Sequence, residues 1–116
     1  MSTPAAIAAA FSGHRFAEAY PHLAPEVRWV IVGGPTLNGP QEVIAACEET
    51  VAGLVGSTTE FSRFVVAGEG PAVAVDVVGR YTDPDGTTTT VASCDIYEFI
   101  DGSVSVITSY MVELSA

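Results

Sequence analysis

The stretch TTTTVASCDIYEFIDGSVSVITSYMVEL, residues 87–114, holds two runs of β-branched and aromatic residues on either side of one Asp-Gly pair. Runs of this composition are typical of β-strands, and Asp-Gly between two of them is a strong hairpin signal. The stretch therefore predicts two long antiparallel strands, residues 87–100 and 103–114, turned at Asp101 and Gly102.

The residues before this hairpin continue the strand pattern back to residue 60. Runs at 60–67 and 72–81 predict two further strands, separated by turns at 68–71 and 82–86. Earlier in the chain, the β-branched and aromatic run EVRWVIV predicts a strand at 26–32, and the glycine- and proline-containing residues 33–39 predict a loop.

Three helices are predicted in the first half of the chain. Thr3 and Pro4 are a typical helix start, with the first helix running to about Ser12. A short second helix ends around Pro21, and a third runs from Pro40 to about residue 54. The third helix carries its apolar residues on one stripe, made of Val43, Ile44, Cys47, Val51 and Leu54.

Helices first and a long antiparallel run of strands afterwards indicate an α+β fold. We expect three N-terminal helices packed on a strongly bent antiparallel or mixed β-sheet, forming a cone with an interior cavity. The 116 residues fit one domain, residues 1–116.

Composition excludes several kinds of partner. The chain has 4 arginines, no lysine and 14 acidic residues, a net charge of −10. Since no basic stripe exists, neither nucleic acid nor an anionic membrane surface is an expected partner. The apolar N-terminal stretch is too short to span a membrane, and Cys47 and Cys94 do not suggest a disulfide scaffold, so we expect a cytoplasmic protein.

Asp95 is an acidic residue among the apolar and aromatic residues of the hairpin, and it is the one acid on its face of the predicted strand. Alternation along the strand places Val91, Ser93, Asp95, Tyr97 and Phe99 on one face. If this face borders the cavity, apolar surroundings favour a neutral carboxyl that donates a hydrogen bond or exchanges a proton. The alternative is a structural aspartate whose oxygens are satisfied by backbone amides or a neighbouring hydroxyl, and the residues alone leave both open.

The remaining polar residues predict no metal or cofactor site. The sequence contains no GxGxxG, P-loop, HExxH, CxxC or GxSxG motif. His14 and His22 are interpreted as a helix-end and a loop histidine, and Asp76 as an acid on the outer face near Arg80. Trp29 is expected in the cavity wall or the core.

The order of elements resembles the nuclear transport factor 2-like superfamily, in particular its SnoaL-like branch. The resemblance rests on FAEAYPHLAPEVRWVIVGGPTLNGPQEVIAA, residues 16–46, and on residues 86–114, and it extends over nearly the whole chain. It implies the cone fold and a choice among isomerases, dehydratases, epoxide hydrolases, polyketide cyclases and non-enzymatic binding proteins.

Two members of that superfamily imply different roles for single positions. Compared with ketosteroid isomerase, Asp95 matches the protonated aspartate of the penultimate strand, whereas the tyrosine falls near Ile7 and the base on Val30 or Ile31. Compared with limonene epoxide hydrolase, the Asp–Arg–Asp set falls near Val77 and Gly79 and on Ser109. Neither catalytic apparatus is complete in this chain.

Both resemblances imply the same cavity face. Besides Asp95 as the catalytic residue, the expected substrate-binding residues are Trp29, Ile31, Val75, Val77, Ser93, Tyr97, Phe99, Ile107, Ser109 and Met111, with Tyr20 joining them from the second helix. The outer face, with Ala74, Val78, Ala92, Cys94, Ile96 and Ile100, is apolar enough to suggest a homodimer.

The functional expectation is an apolar small-molecule ligand resembling a polyketide or terpenoid. The first hypothesis is an isomerase, cyclase or dehydratase in which Asp95 acts as a lone general acid or hydrogen-bond donor, without cofactor or metal. The second is a non-catalytic binding protein with Asp95 as its polar anchor. The third is a dimeric domain with no small-molecule function.

Overall fold

A computed structural model describes residues 2–114 of the chain. The helices are α1 (Pro4–Ser12), α2 (Phe16–Ala19, followed by a 3-10 turn at Tyr20–His22) and α3 (Gly39–Gly53). The strands are β1 (Leu23–Ile31), β2 (Thr36–Asn38), β3 (Thr58–Ala67), β4 (Ala72–Thr82), β5 (Thr88–Ile100) and β6 (Ser103–Leu114).

The strands form one sheet in the order β2-β1-β6-β5-β4-β3. Strand β1 is parallel to β6, and every other neighbouring pair is antiparallel, so the sheet is mixed. Register shifts interrupt three of the pairings, and such bulges bend a strand. The predicted α+β fold, with three helices packed on a bent mixed sheet, is confirmed.

Two boundaries in the first half of the sheet differ from the prediction. Residues 33–39 are not only a loop, because Thr36–Asn38 pairs antiparallel with β1. A strand of three residues is too short to show an alternating pattern. Strand β1 begins at Leu23 although Pro25 follows, because Pro25 lies in the register shift between Leu23 and Arg28, where a missing N–H breaks no ladder bond.

The core fills only part of the space between the helices and the sheet. Ile7 and Phe11 of α1 are buried in one cluster with Tyr97 and Ile107 of the sheet. The first half of the α3 stripe is also buried, including Val43 and Cys47, but the stripe's later residue Val51 is 46% exposed. Helix α3 therefore packs on the sheet through its first turns, and its last turns border a cavity.

Candidate functional site

The cavity lies between the three helices and the inner face of strands β1, β4, β5 and β6, with a volume of about 430 Å³. Apolar and aromatic side chains dominate its lining. The lining consists of Phe11, Ser12, His14, Phe16, Trp29, Ile31, Ala46, Thr50, Leu54, Val77, Tyr81, Val91, Ser93, Asp95, Ser109 and Met111. It has the size and character of a small-molecule site.

Many of the expected site residues lie in this lining, and the others do not. Asp95 lines the cavity together with Trp29, Ile31, Val77, Ser93, Ser109 and Met111. Val75, Tyr97, Phe99 and Ile107 are instead buried in the core cluster with α1. Tyr20 packs against that core, and its hydroxyl donates a 2.7 Å hydrogen bond to Glu48. Alternation gives the face of a residue but not how far along the strand the helices cover that face.

Asp95 accepts a hydrogen bond on each of its carboxylate oxygens. Ser109 Oγ donates to Oδ1 at 2.6 Å, and Ser12 Oγ donates to Oδ2 at 2.7 Å. Trp29 Nε1 donates in turn to Ser109 Oγ at 2.8 Å, and Ser12 Oγ lies 2.5 Å from the hydroxyl of Tyr97. The expected lone carboxyl is thus the centre of a network of hydroxyls, although Ser93, its neighbour on the strand, takes no part.

The hydrogen bonds to the two carboxylate oxygens differ in one respect: the donor and acceptor can exchange roles on one side only. The indole N–H of Trp29 can only donate, so the Ser109 hydrogen is directed to Asp95 Oδ1. On the other side, Tyr97 can donate to Ser12 and Ser12 to Oδ2, or a protonated Oδ2 can donate to Ser12 and Ser12 to Tyr97. Oδ1 is therefore a fixed acceptor, whereas Oδ2 can keep its hydrogen bond with or without a proton.

The Tyr97 hydroxyl stays protonated in this arrangement. Burial raises the pKa of Tyr97 well above its ordinary value of 10, and the charge of Asp95 adds to that increase. A phenol held in its neutral form keeps a hydrogen to share with Ser12. Tyr97 therefore supports Asp95 from the core without bordering the cavity.

His14 is a cavity residue that the sequence analysis placed only at a helix end. It lies after Gly13, beyond the last turn of α1, with a φ of +66°. Its ring lies 5.5 Å from that of Phe16 and 5.9 Å from that of Tyr81. Burial lowers the pKa of His14, while the charge of Asp95 acts in the opposite direction. The imidazole is therefore mainly neutral at pH 7.

Ser12, Thr50 and Tyr81 are the other polar lining residues that sequence reasoning missed. Tyr81 could have been found by extending the alternation of β4 from Val77 through Gly79. Ser12 could not, because its contact with Asp95 joins residues 83 positions apart. Ser12 is also the last residue of α1, and a serine at a helix end does not by itself indicate a functional site.

Two further findings concern residues 2–114. Within that range, no group of three histidine, cysteine, aspartate or glutamate residues is arranged to hold a metal ion. Likewise, none of the helices described there is long and apolar enough to cross a membrane.

Comparison with known proteins identifies a family and several structures that share this fold. The profile of the SnoaL-like domain matches residues 5–107. An NTF2-like protein of unknown function from Cytophaga hutchinsonii is 27% identical, with a TM-score of 0.79 over 91% of this chain and 93% of that one. No match is found among proteins with curated descriptions.

Two more distant structures share the fold. One, from Pseudomonas putida, has a description that suggests a polyketide cyclase. It is 16% identical, with a TM-score of 0.74 over 95% of this chain and 92% of that one. The other is TerC, co-crystallised with polyporic acid. It is 20% identical, with a TM-score of 0.65 over 91% of this chain and 85% of that one.

Proposed function

The chain belongs to the SnoaL-like domain family, and from that premise we propose that it is an enzyme acting on an apolar small molecule. The reaction is of the isomerisation, cyclisation or dehydration type, and Asp95 transfers the proton. The observation that carries this proposal is the position of Asp95, whose carboxylate borders a 430 Å³ apolar cavity while hydroxyls hold both of its oxygens.

The network suits a group that must both take and return a proton. Ser109 and Trp29 hold Oδ1 in one orientation, so the carboxylate does not rotate away when Oδ2 changes its protonation state. Positioned acid–base groups of this kind contribute about 10²–10⁴-fold to a rate. Trp29, Phe11 and Phe16 supply flat apolar walls that orient a ring system next to the carboxylate.

The relatives support a small-molecule occupant. One structural neighbour has a description that suggests a polyketide cyclase, and another was crystallised with polyporic acid. A polyketide- or terpenoid-like intermediate with a carbonyl or hydroxyl oxygen fits a cavity with apolar walls and a few polar groups.

The proposal is tested with 2-acetylnaphthalene, a two-ring ketone whose methyl hydrogens exchange with solvent when a base removes them. In D₂O, we expect the wild-type protein to bind the ketone saturably and to accelerate deuterium incorporation, as measured by NMR. Asp95→Asn, which keeps the shape but not the base, should slow the exchange at least about 100-fold.

Asp76→Asn is the matched control. Asp76 is on the neighbouring strand and pairs with Arg63 at 2.8 Å, away from the cavity lining. We expect this variant to exchange deuterium at the wild-type rate. Equal rates in the wild type and Asp95→Asn would contradict the catalytic role, and the absence of saturable binding would contradict the small-molecule site itself.

A non-catalytic binding protein is the second candidate function. It is favoured by one observation, that both Asp95 oxygens already accept hydroxyl hydrogen bonds as a structural anchor would. It predicts saturable binding of the same ketone with no accelerated exchange in the wild-type protein.

We further propose that the partner of the sheet's outer face is a second copy of this chain, in the cytoplasm. Val65, Tyr110 and Val112 are exposed large apolar residues of the sheet. By register they share the face of Asp76, whose charge is balanced by Arg63. Because the chain as a whole carries −10, a face whose central charges cancel is where two copies can approach with least repulsion.

A further inference from the structure

His14 and Tyr81 are polar residues in the cavity lining that make no side-chain hydrogen bond to any residue between 2 and 114. We propose that these two side chains bind the carbonyl oxygen of the substrate as paired hydrogen-bond donors. This inference rests on the proposed function, because it adds two substrate-binding residues to the same site.

The position of Tyr81 depends on Gly79. The two residues are two positions apart on β4 and so share its inner face. A Cβ atom built on Gly79 would lie 2.9 Å from the Tyr81 hydroxyl oxygen and 3.1 Å from two of its ring carbons. The Tyr81 ring and hydroxyl therefore lie over the bare backbone of Gly79, on the face that lines the cavity.

The position of His14 depends on the backbone turn after α1. Its φ of +66° lies in the left-handed region, which a non-glycine residue adopts at a cost in free energy. The turn brings two residues to the cavity at once, since Ser12 holds Asp95 and His14 lies beside Tyr81. A neutral imidazole donates one N–H, and a protonated phenol donates its O–H.

The charge of Asp95 acts on both Tyr81 and His14, as expected if the three groups belong to one site. Burial raises the pKa of Tyr81, and the Asp95 charge raises it further, so the phenol keeps its proton. The same Asp95 charge acts on His14. Both donors thus lie within the field of the carboxylate, and all three groups line the same cavity.

The chemical step balances with these residues alone. Asp95 Oδ2 takes a proton from the carbon next to the carbonyl, and the electron pair of that C–H bond forms a carbon–carbon double bond. The carbonyl π pair moves to oxygen, and the resulting enolate oxygen accepts hydrogen bonds from His14 and Tyr81. Return of the proton from Oδ2 to the same carbon regenerates the ketone, whereas its delivery to a different carbon of a conjugated enolate completes an isomerisation. Donors aimed at such an oxygen each contribute about 10²–10³-fold to a rate.

The experiment measures the carbonyl stretch of ¹³C-labelled 2-acetylnaphthalene bound to the full chain. Hydrogen bonds to the oxygen lower this frequency, so we expect the wild-type complex to absorb at lower frequency than the complexes of Tyr81→Phe and His14→Phe. Both substitutions keep the ring and remove the donor. Each should weaken binding up to about tenfold, the loss expected for one hydrogen bond, and slow deuterium exchange about 100-fold.

Gly79→Ala tests the same site without removing any polar atom. The added methyl group must displace Tyr81, so this variant should reproduce the higher frequency of Tyr81→Phe. Gly53→Ala is the matched control, because a Cβ there meets nothing within 4 Å, and it should give the wild-type frequency.

The outcomes separate this inference from the proposed function. If the carbonyl frequency is the same in the wild type and in both phenylalanine variants, the donors do not touch the carbonyl and the inference is wrong, even when Asp95→Asn abolishes exchange. If the frequency shifts as expected but Asp95→Asn exchanges normally, the donor site stands and the catalytic role of Asp95 fails. Unchanged circular dichroism and melting temperature of Tyr81→Phe show that the fold is intact.

Discussion

Ser109 connects the cavity wall to Asp95, because it accepts a hydrogen bond from Trp29 and donates one to the carboxylate. It is 3% exposed, so water cannot readily replace either bond. A buried donor or acceptor that loses its partner costs about 1–3 kcal/mol. The stability of this site is therefore sensitive to one hydroxyl.

We expect Ser109→Ala to lower the free energy of unfolding by about 1–3 kcal/mol, since it leaves Trp29 Nε1 and Asp95 Oδ1 without their partner. Urea denaturation measures the change. Ser93→Ala is the control, because Ser93 lines the same cavity and makes no side-chain hydrogen bond to the described residues, and it should change stability by less than about 0.5 kcal/mol. Equal midpoints for the two variants would show that the network does not stabilise the fold.

The pKa of His14 reports on Asp95 directly. Burial lowers this pKa and the Asp95 charge opposes the decrease, so removing that charge should lower the pKa of His14 further. We expect the His14 ring resonance of Asp95→Asn to titrate at a lower pH than in the wild type, as measured by NMR. In Asp76→Asn it should titrate as in the wild type, and a rise in the pKa of His14 in Asp95→Asn would refute the expectation.

At the scale of residues, the sequence predicted which polar group to suspect but not its partners. The strand pattern placed Asp95 on the inner face because alternation is a local property. Its partners Ser12 and Ser109 belong to a helix end and to another strand, and their contact depends on how the whole sheet bends. His14 was missed for the same reason, since only the fold shows where the chain turns after α1.

Among the elements, the β5–β6 hairpin sets the position of Asp95 against Ser109. Its turn residues Asp101 and Gly102 both have positive φ, as a two-residue type I′ turn requires. The turn alone would pair Asp95 with residue 108, but a register shift between Glu98 and Phe99 adds one residue on β6. The Ser105 hydroxyl donates to the Glu98 carbonyl at 3.0 Å beside this bulge. The bulge thus places Ser109 opposite the carboxylate.

We expect Gly102→Ala to destabilise the protein by about 1–2 kcal/mol, because an L-residue with a side chain is strained in the left-handed region. Thermal unfolding and urea denaturation measure this change. Gly53→Ala, which adds the same methyl group at a glycine without positive φ, should be neutral or stabilising by a few tenths of a kcal/mol. If both variants are equally stable, the hairpin turn is not what limits this part of the fold.

The elements show clearly where sequence patterns succeed. The Asp101-Gly102 turn and strands β3 to β6 follow from local composition, and the structure confirms them within two residues, whereas β1 begins three residues earlier than predicted. Strand β2 and the bulge at residues 104–105 leave no such pattern, since one is too short to alternate and the other depends on pairing with β5. The pairing register of β5 and β6 therefore could not be predicted from the sequence and is known only from the structure.

For the whole molecule, the fold was predictable and the extent of the cavity was not. The order of helices and strands, together with the resemblance, identified the SnoaL-like cone that the family profile confirms. How much of the inner face stays open depends on where α1 and α3 stop covering it. Val75 and Val77 of one strand both belong to the buried core cluster, but only Val77 also lines the cavity.

The proposed dimer follows from the opposing effects of apolar area and charge over the whole molecule. Val112, on the outer face of β6, is 61% exposed, and Val55, after α3 and outside the sheet, is 75% exposed. We expect the wild type to sediment as a dimer, Val112→Asp as a monomer and Val55→Asp as a dimer, although both variants gain the same charge.

Because each copy carries −10, added salt should screen their repulsion and strengthen the dimer. A monomeric wild type, or a Val112→Asp dimer, would show that the outer face is not the interface. A dimer that salt weakens would indicate one held by ion pairs instead.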